Sequence, residues 1–211
     1  SHGTINRKLA TLSKMSGFAA ERGWVSAKIR VGFRKERQGR IRFFSATERT
    51  AILRYYTERG EQEWHDYFLM LIDTAARASE VETLQGRDFH DGAIHIWHTK
   101  ADLPRTIPLT ERAKQAIQRR MLSDATRPFG YATEGARRHA WDRMKVSLGL
   151  EGDEQFVPHA CRHDCATRLL RATGNILLVQ RWLGHRTLEM TLRYAHLVTS
   201  DLERGCALLE G

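Results

Sequence analysis

The sequence is poor in cysteine and proline, and it contains no long apolar run. Three cysteines among 211 residues are an odd and small number, which is unlike the framework of a disulfide-stabilised secreted domain. The longest apolar run, residues 67–72, is far too short to cross a bilayer. No secretory signal peptide is evident at the N-terminus. We therefore expect a protein of a reducing, cytoplasmic compartment.

Acidic residues are also scarce relative to basic ones. The chain has 25 Asp and Glu against 34 Lys and Arg, a net charge of +9. Its hydrophobic content of 41% is ordinary for a globular protein. The charge excess favours an anionic partner, with nucleic acid the first candidate. A basic surface that serves solubility alone is the alternative.

Residues 158–170, PHACRHDCATRLL, alternate histidine and cysteine in a pattern that invites comparison with a metal site. The stretch is typical of a helix, on which residues two apart point to opposite sides. His159 and His163 then lie on one face and Cys161 and Cys165 on another, so the four cannot close one tetrahedral site. We predict no metal here. What remains is His159 three residues before Arg162, a proton carrier beside a fixed cation, which suits phosphate chemistry.

The first part of the chain divides into a helix and a basic segment. Residues 4–22 are predicted to be helical, with Gly23 ending the helix. Residues 27–43 hold seven basic residues and one acidic residue, a net of +6, without a hydrophobic period. We interpret them as an extended basic linker that follows a DNA backbone, with a merely solvated segment as the alternative. The predicted contacts are Lys28, Arg30, Arg34, Lys35, Arg37, Arg40 and Arg42.

A second domain, residues 44–211, is predicted to follow the first, residues 1–43. Ser45-x-x-Glu48 is a capping box that opens it. A helix with one apolar stripe comes next, and Ser79-x-x-Glu82 is predicted to cap a short helix. Arg77 then lies in the corner between the two helices.

A small antiparallel sheet is predicted in the middle of this domain, which is otherwise mostly helical, an α+β class. Asp91-Gly92 is a hairpin signal. The segment RTIPL, residues 105–109, pairs back as the next strand, and Lys100 lies at or beside its turn. The chain reads as helical again from Glu111.

The last predicted elements are two helices separated by a tight turn. The first runs over residues 176–183 and is stopped by Gly184, with His185 in the turn. Thr187 is predicted to cap the second, which presents Tyr194.

These motifs together resemble the tyrosine recombinases of the phage integrase type. They follow the family's order from about residue 45 to 200: Arg77 with Glu80 in TAARASEVETL, Lys100 in WHTKADLPRTIPL, His159 and Arg162 in PHACRHD, Gly184-His185, and Thr191, Tyr194 and His196 in TLRYAH. Residues 4–43 resemble the last helix and linker of the family's core-binding domain. The chain departs from the family pattern at Ala75-Ala76, where glycine is common, and at Cys161 and Asp164, where leucine and then threonine or serine are usual. These departures put local packing in question.

The resemblance implies site-specific DNA strand exchange, as in phage integration and excision. It implies an integrase catalytic core with a three-stranded antiparallel sheet, a homotetramer on two double-stranded DNA sites, and accessory DNA-bending proteins in a bacterial host. It also allows the C-terminal residues 198–211 to pack on a neighbouring protomer. A 3′-phosphotyrosine would conserve the energy of the broken bond, so we expect no metal, ATP or other cofactor.

Three of these residues suit the charges and the nucleophile that the reaction requires. Arg77 and Arg162 suit the nonbridging oxygens, because guanidiniums donate bidentately and keep their protons. Tyr194 is the expected nucleophile, and its phenol pKa of about 10 calls for a base or a cationic site.

Three further residues are assigned to proton transfer or to hydrogen bonding. His159, near a helix N-terminus, is expected to stay neutral and accept the tyrosine proton. His185 is expected to donate to the phosphoryl oxygen, and Lys100 to protonate the leaving 5′ oxygen. Glu80 is expected to support a neighbouring basic group without transferring a proton, and Trp182 is expected to lie in the core. The remaining histidines are interpreted as surface or structural residues: His95, His98, His139 and His163.

Three other functions remain as alternatives. A type IB topoisomerase shares the active-site residues but needs no specific site. A DNA-binding regulator would keep the fold without catalysis, against which the intact residue set argues. A metal-dependent nuclease is disfavoured because the sequence has no cluster of acidic residues suited to two metals.

Overall fold

The computed structural model of the protein describes residues 2–35, 41–97 and 104–195. The chain forms two compact units, residues 1–40 and residues 41–211. Among the described helices, none has both the length and the apolar character that a membrane span requires.

The first unit contains helix α1, His2–Glu21, which confirms the predicted helix to within two residues. Gly23 follows it with a φ of 70°. The basic segment then runs back along α1. Arg34 N donates to Asn6 Oδ1 at 2.8 Å while Asn6 Nδ2 donates to Arg34 O at 2.7 Å, and Ile29 N donates to Ser16 Oγ at 3.2 Å. Residues 29–34 are therefore anchored to the helix by hydrogen bonds between their backbone and helix side chains.

The second unit is mostly helical with one small sheet, as predicted. Its helices and strands are α2 (Ala46–Glu58), α3 (Gln62–Thr74), α4 (Ala78–Glu82), a 3-10 turn (Gly86–Asp88), β1 (Phe89–His90), β2 (Ala93–Ile96), β3 (Arg105–Pro108), α5 (Glu111–Ser123), α6 (Glu134–Ser147), α7 (Ala160–Thr173), α8 (Ile176–Leu183) and α9 (Glu189–Leu192).

The capping signals in the sequence predicted one helix start correctly and two incorrectly. The capping box of α2 is confirmed, since Glu48 N donates to Ser45 Oγ and Ser45 N donates to Glu48 Oε2. The predicted start of α4 at Ser79 is wrong, because Arg77 is the N-cap residue. Thr187 is also not a cap, since α9 begins at Glu189 after Leu188.

The strands form an antiparallel sheet in the order β1-β2-β3. Asp91 and Gly92 have φ values of 53° and 71°, which is the backbone of the tight hairpin turn that their sequence predicts. Ile94 pairs with Ile107, and Ile96 pairs with Arg105. Ile107 is buried, and alternation along the strand places Arg105 on the same inward face.

Two apolar cores hold the second unit together. The larger one surrounds α3, which is buried from Tyr67 to Thr74 and packs against α2, α5 and α7. The smaller one lies between the end of α3, α7, α8 and the residues after α9; its members are Ala75, Cys165, Ala166, Leu170, Val179, Leu183 and Tyr194. Five predicted site residues lie on the elements around this smaller core.

Candidate active site

Arg77 is positioned by the sharp end of α3. Ala75 adopts a left-handed conformation, with a φ of 55°, and the chain turns there into α4. Glu80 then holds Arg77 at two points: it accepts the backbone N–H at 2.7 Å and Nη1 at 3.1 Å. The Arg77 side chain is 33% exposed, so a ligand can reach its guanidinium.

Arg162 is held by two backbone carbonyls. Its side chain extends from the first turn of α7 and the residue is only 3% exposed. Nη1 donates to Ala75 O and Nη2 donates to Leu183 O, both at 2.6 Å. Burial, together with the charges of Arg77 and Arg105, lowers the pKa of Arg162 to about 10. It therefore stays charged at neutral pH. Its guanidinium lies close enough to those of Arg77 and Arg105 for their charges to lower its pKa.

His159 is the N-cap residue of α7; the residue is exposed, and its ring packs edge-on against that of His163. Burial and the charges of Arg162, Arg77 and Arg193 lower its pKa, so the imidazole is neutral at neutral pH. The neutral form was predicted from the helix N-terminus, whereas in the structure burial and arginines account for it. A depression of about 280 Å³ is lined by His159, Arg162 and Arg137 among others.

His185 is fixed in the turn after α8. The turn begins at Gly184, whose φ is 68°. His185 N donates to Gln180 O at 3.1 Å, and its Nδ1 lies 2.9 Å from Thr191 Oγ1. The predicted motif residues His185 and Thr191 are therefore in direct contact.

Tyr194 is buried in the smaller core, with 1% of its surface exposed. Its Oη lies 2.7 Å from Nδ1 of His163. Burial raises the pKa of the Tyr194 phenol, although the charges of Arg162 and Arg193 oppose this. Tyr194 is thus neutral and enclosed in this conformation.

His163 is a residue whose contact the sequence interpretation missed. Burial, the neighbouring imidazole of His159 and the charge of Arg193 lower its pKa to about 4. A neutral imidazole can accept the phenol proton of Tyr194 through Nδ1. The available signal was its position four residues after His159, on the same helix face.

The remaining predicted site residues fall into three groups. Lys100, Arg37 and Arg40 lie outside the described residues. Lys28, Arg30, Arg34 and Lys35 are exposed. Arg42 instead has an intramolecular role: its Nε donates to Asp153 Oδ2 at 2.8 Å and its guanidinium binds Glu48.

The two departures from the family pattern on α7 serve packing. Cys161 is buried in the larger core. Asp164 is 1% exposed and accepts from Arg49 at 2.9 Å, from Arg168 at 2.9 Å and from Phe44 N at 3.2 Å. It therefore ties α7 to the start of α2. Across the described ranges, no three His, Cys, Asp or Glu side chains are grouped to hold a metal ion.

In this helical domain, two guanidiniums and a neutral histidine lie near a buried tyrosine. This set of side chains suits a catalytic domain that acts on phosphodiesters. The sequence profile of the phage integrase family matches residues 42–200. The chain belongs to the phage integrase family, as its motifs predict.

Known relatives agree in sequence and in fold. The integrase of Haemophilus phage HP1 is 29% identical over 209 residues, which cover 95% of this chain and 58% of that protein. The catalytic domain of bacteriophage HP1 integrase superposes with a TM-score of 0.61 and 26% identity, over 80% of this chain and 95% of that one. The Tn1549 transposon integrase in complex with circular intermediate DNA superposes with a TM-score of 0.75 and 21% identity, over 92% of this chain and 75% of that one. The chain spans about half the length of the curated relatives it matches.

Proposed function

We propose that this chain is the catalytic part of a site-specific DNA recombinase that cleaves and rejoins double-stranded DNA through a 3′-phosphotyrosine. The observation that carries the proposal is that the buried Arg162 binds Ala75 O, two residues before Arg77, and Leu183 O, two residues before His185, beside the core that holds Tyr194. Membership of the integrase family supports it. The DNA complex of the Tn1549 transposon integrase supports double-stranded DNA as the substrate.

In the proposed reaction, Tyr194 Oη attacks the scissile phosphorus and the bond to the 5′ oxygen breaks. His159 takes the phenol proton and Lys100 gives a proton to the departing oxygen. Arg77, Arg162 and His185 stabilise the charge that grows on the nonbridging oxygens. A 5′ hydroxyl of the partner strand then attacks the phosphotyrosine and releases Tyr194, so the number of phosphodiester bonds is conserved.

We extend the proposal to the assembly that the family implies. Strand exchange between two duplexes requires four cleavages, so a homotetramer on two DNA sites is expected. Accessory DNA-bending proteins and a cytoplasmic location in a bacterial host belong to the same proposal.

A nicked suicide duplex carrying the cognate site tests the function. Cleavage close to the nick releases a short fragment that diffuses away, so the covalent protein–DNA adduct accumulates. We expect a slowly migrating band on a denaturing gel that forms equally with and without EDTA. Cleavage without an adduct would contradict the proposal, and EDTA-sensitive cleavage would favour a nuclease.

The neighbouring histidines His159 and His163 provide a matched pair of variants. His159 lies beside the two guanidiniums, whereas His163 binds Tyr194 in its enclosed position. We expect His159→Ala to slow adduct formation about a hundredfold, within the range for loss of a general base. His163→Ala should keep adduct formation within about tenfold, because the tyrosine leaves this contact to reach a phosphate.

Single-turnover rates at saturating protein, with DNA affinity measured in parallel, compare the two variants. If His163→Ala were the slower and DNA binding were intact, His163 would be the proton acceptor and the two roles would be exchanged.

Lys100 as general acid can be tested with a sulfur substrate. A 5′ alkoxide needs a proton as it leaves, whereas a thiolate does not, because thiol pKa values are near 8.5. We expect Lys100→Ala to be slow on normal DNA and close to wild type on DNA with sulfur at the bridging 5′ position. His159→Ala should gain nothing from the sulfur. Equal impairment of Lys100→Ala on both substrates would assign the lysine to positioning.

The exposed basic segment should contribute to DNA affinity through phosphate contacts. Each contact contributes about 0.9 to the slope of log K against log salt. Replacing Lys28, Arg30, Arg34 and Lys35 with glutamine should therefore flatten the slope by up to about 3.6. Arg42→Gln is the matched control, because Arg42 is occupied by Glu48 and Asp153. An unchanged slope in the fourfold variant would show that the segment is only solvated.

A further inference from the structure

Arg105, at the start of β3, is a buried cation that the proposed reaction does not use. Its side chain is 5% exposed, and each of its three nitrogens donates a hydrogen bond within the domain. Its Nη1 and Nη2 donate to the two oxygens of Glu80 at 3.1 and 2.7 Å. Its Nε donates to Trp182 O at 3.1 Å.

The carboxylate of Glu80 is shared between two arginines. It accepts two hydrogen bonds from Arg77 and two from Arg105, which occupies both of its oxygens. Burial alone would raise the pKa of Glu80, but the hydrogen bonds and charge of Arg105, and then those of Arg77, lower it. Glu80 is therefore ionised, and the three side chains together carry one net positive charge, two guanidiniums against one carboxylate.

The net charge of these three side chains determines how strongly Arg77 can attract a phosphate. If Arg105 were absent, Glu80 and Arg77 would form a neutral pair. A neutral pair attracts a developing negative charge far less than a cation does in a water-poor site. With Arg105 present, Glu80 can hold Arg77 in place without cancelling its charge.

Arg105 also connects three parts of the site: strand β3, on which it lies, Glu80 on α4, and the carboxyl end of α8. The carbonyls of Trp182 and Leu183, at the carboxyl end of α8, accept from Arg105 and Arg162 respectively. Next to them, a side chain on Gly184 would place its Cβ 2.8 Å from Cδ of Arg105. The glycine before His185 is thus required both for its positive φ and for the close approach of Arg105.

The geometry points to Arg105 as a positioning residue for DNA cleavage, which acts by neutralising Glu80 so that Arg77 keeps its full charge for the scissile phosphate. This inference rests on the proposed function. It assigns a reaction-related role to a residue that touches no reacting atom.

The test uses charge compensation in the whole chain, read as single-turnover adduct formation on the suicide duplex with DNA affinity measured separately. Arg105→Met should slow adduct formation about tenfold or more, while DNA affinity stays within about twofold. Adding Glu80→Gln to Arg105→Met restores the net charge of the group and should recover most of the lost rate. Arg105→Lys, which keeps the charge, should stay within about fivefold of wild type.

Arg119→Met is the matched control for loss of an ion pair to a buried carboxylate. Arg119 binds Asp66 at 2.7 Å, and Asp66 keeps Arg120 at 3.1 Å as a second partner, just as Glu80 keeps Arg77. This variant should lower the melting temperature and leave the rate of adduct formation unchanged.

The outcomes separate this inference from the proposed function. A wild-type chain without an adduct would overturn both. A wild-type adduct combined with a double variant no faster than Arg105→Met would overturn the role of Arg105 alone, since a purely structural residue is not rescued by removing a charge. If Arg105→Met does not fold, the cleavage rate of the double variant is compared with that of Arg105→Lys instead. A double variant that binds DNA but cleaves more than tenfold more slowly than Arg105→Lys would likewise overturn the role of Arg105.

Discussion

Replacing Tyr194 with phenylalanine should abolish the covalent adduct while leaving DNA binding intact. The change removes only Oη, whose bonding partner is the half-buried His163. One neutral hydrogen bond contributes about 1 kcal/mol to stability, so the domain should remain folded. Without the phenolic oxygen there is no atom to form the phosphotyrosine bond. Gel-shift affinity should match wild type, and the denaturing gel should show no adduct at any time.

Tyr131→Phe is the matched control for this substitution. Its hydroxyl donates to Glu63 O at 2.6 Å and lies outside the residues of the smaller core. This variant should cleave at the wild-type rate. A surviving adduct in Tyr194→Phe would show that another residue is the nucleophile.

Arg77→Ala and Arg162→Ala should each reduce the cleavage rate far more than the DNA affinity. A preorganised donor to developing charge contributes roughly 3 kcal/mol, or about a hundredfold in rate. The two variants should differ in stability. Arg77 is one-third exposed, so its loss affects mainly the chemistry. Loss of Arg162 also leaves Ala75 O and Leu183 O without their donors, at about 1–3 kcal/mol for each unsatisfied group.

Thermal unfolding and single-turnover cleavage distinguish these two effects. Arg162→Lys keeps a charge but cannot span both carbonyls with a planar fork, so it should be intermediate in both measurements. A loss confined to DNA binding in Arg77→Ala would contradict the role of this residue in stabilising the transition state.

Local sequence signals predicted most of the secondary structure, because the information lies within a few residues. Asp91-Gly92 fixes a hairpin turn by its backbone preferences, and Gly184 ends α8 in the same way. The start of α4 could not be predicted locally. Ser79, a favoured cap residue, precedes Glu82 by three positions, whereas Arg77, whose side chain cannot accept a hydrogen bond, precedes Glu80. The choice between them is made by distant partners, since Glu82 binds Tyr67 and Arg137.

The predicted site was a set of residues, and the structure adds the contacts between them. Arg77, Arg162 and His185 were identified from motifs, but the contacts of Arg105 with Glu80 and of His163 with Tyr194 join residues 25 and 31 positions apart. Such pairings depend on how the helices and strands pack. Arg105 alternates with the buried Ile107 along β3, and this alternation is the local signal from which a buried arginine could have been inferred.

The enclosure of Tyr194 has a consequence for fidelity on a genome full of non-target sequence. Bringing an aromatic side chain out of an apolar core costs about 2–3 kcal/mol, so roughly one molecule in a hundred would have its phenol available at rest. A chain that merely collides with DNA would therefore rarely nick it. In the proposed reaction, contacts made on the correct duplex would supply the free energy that draws the tyrosine out. Part of the affinity for the target is thereby converted into selectivity of cleavage.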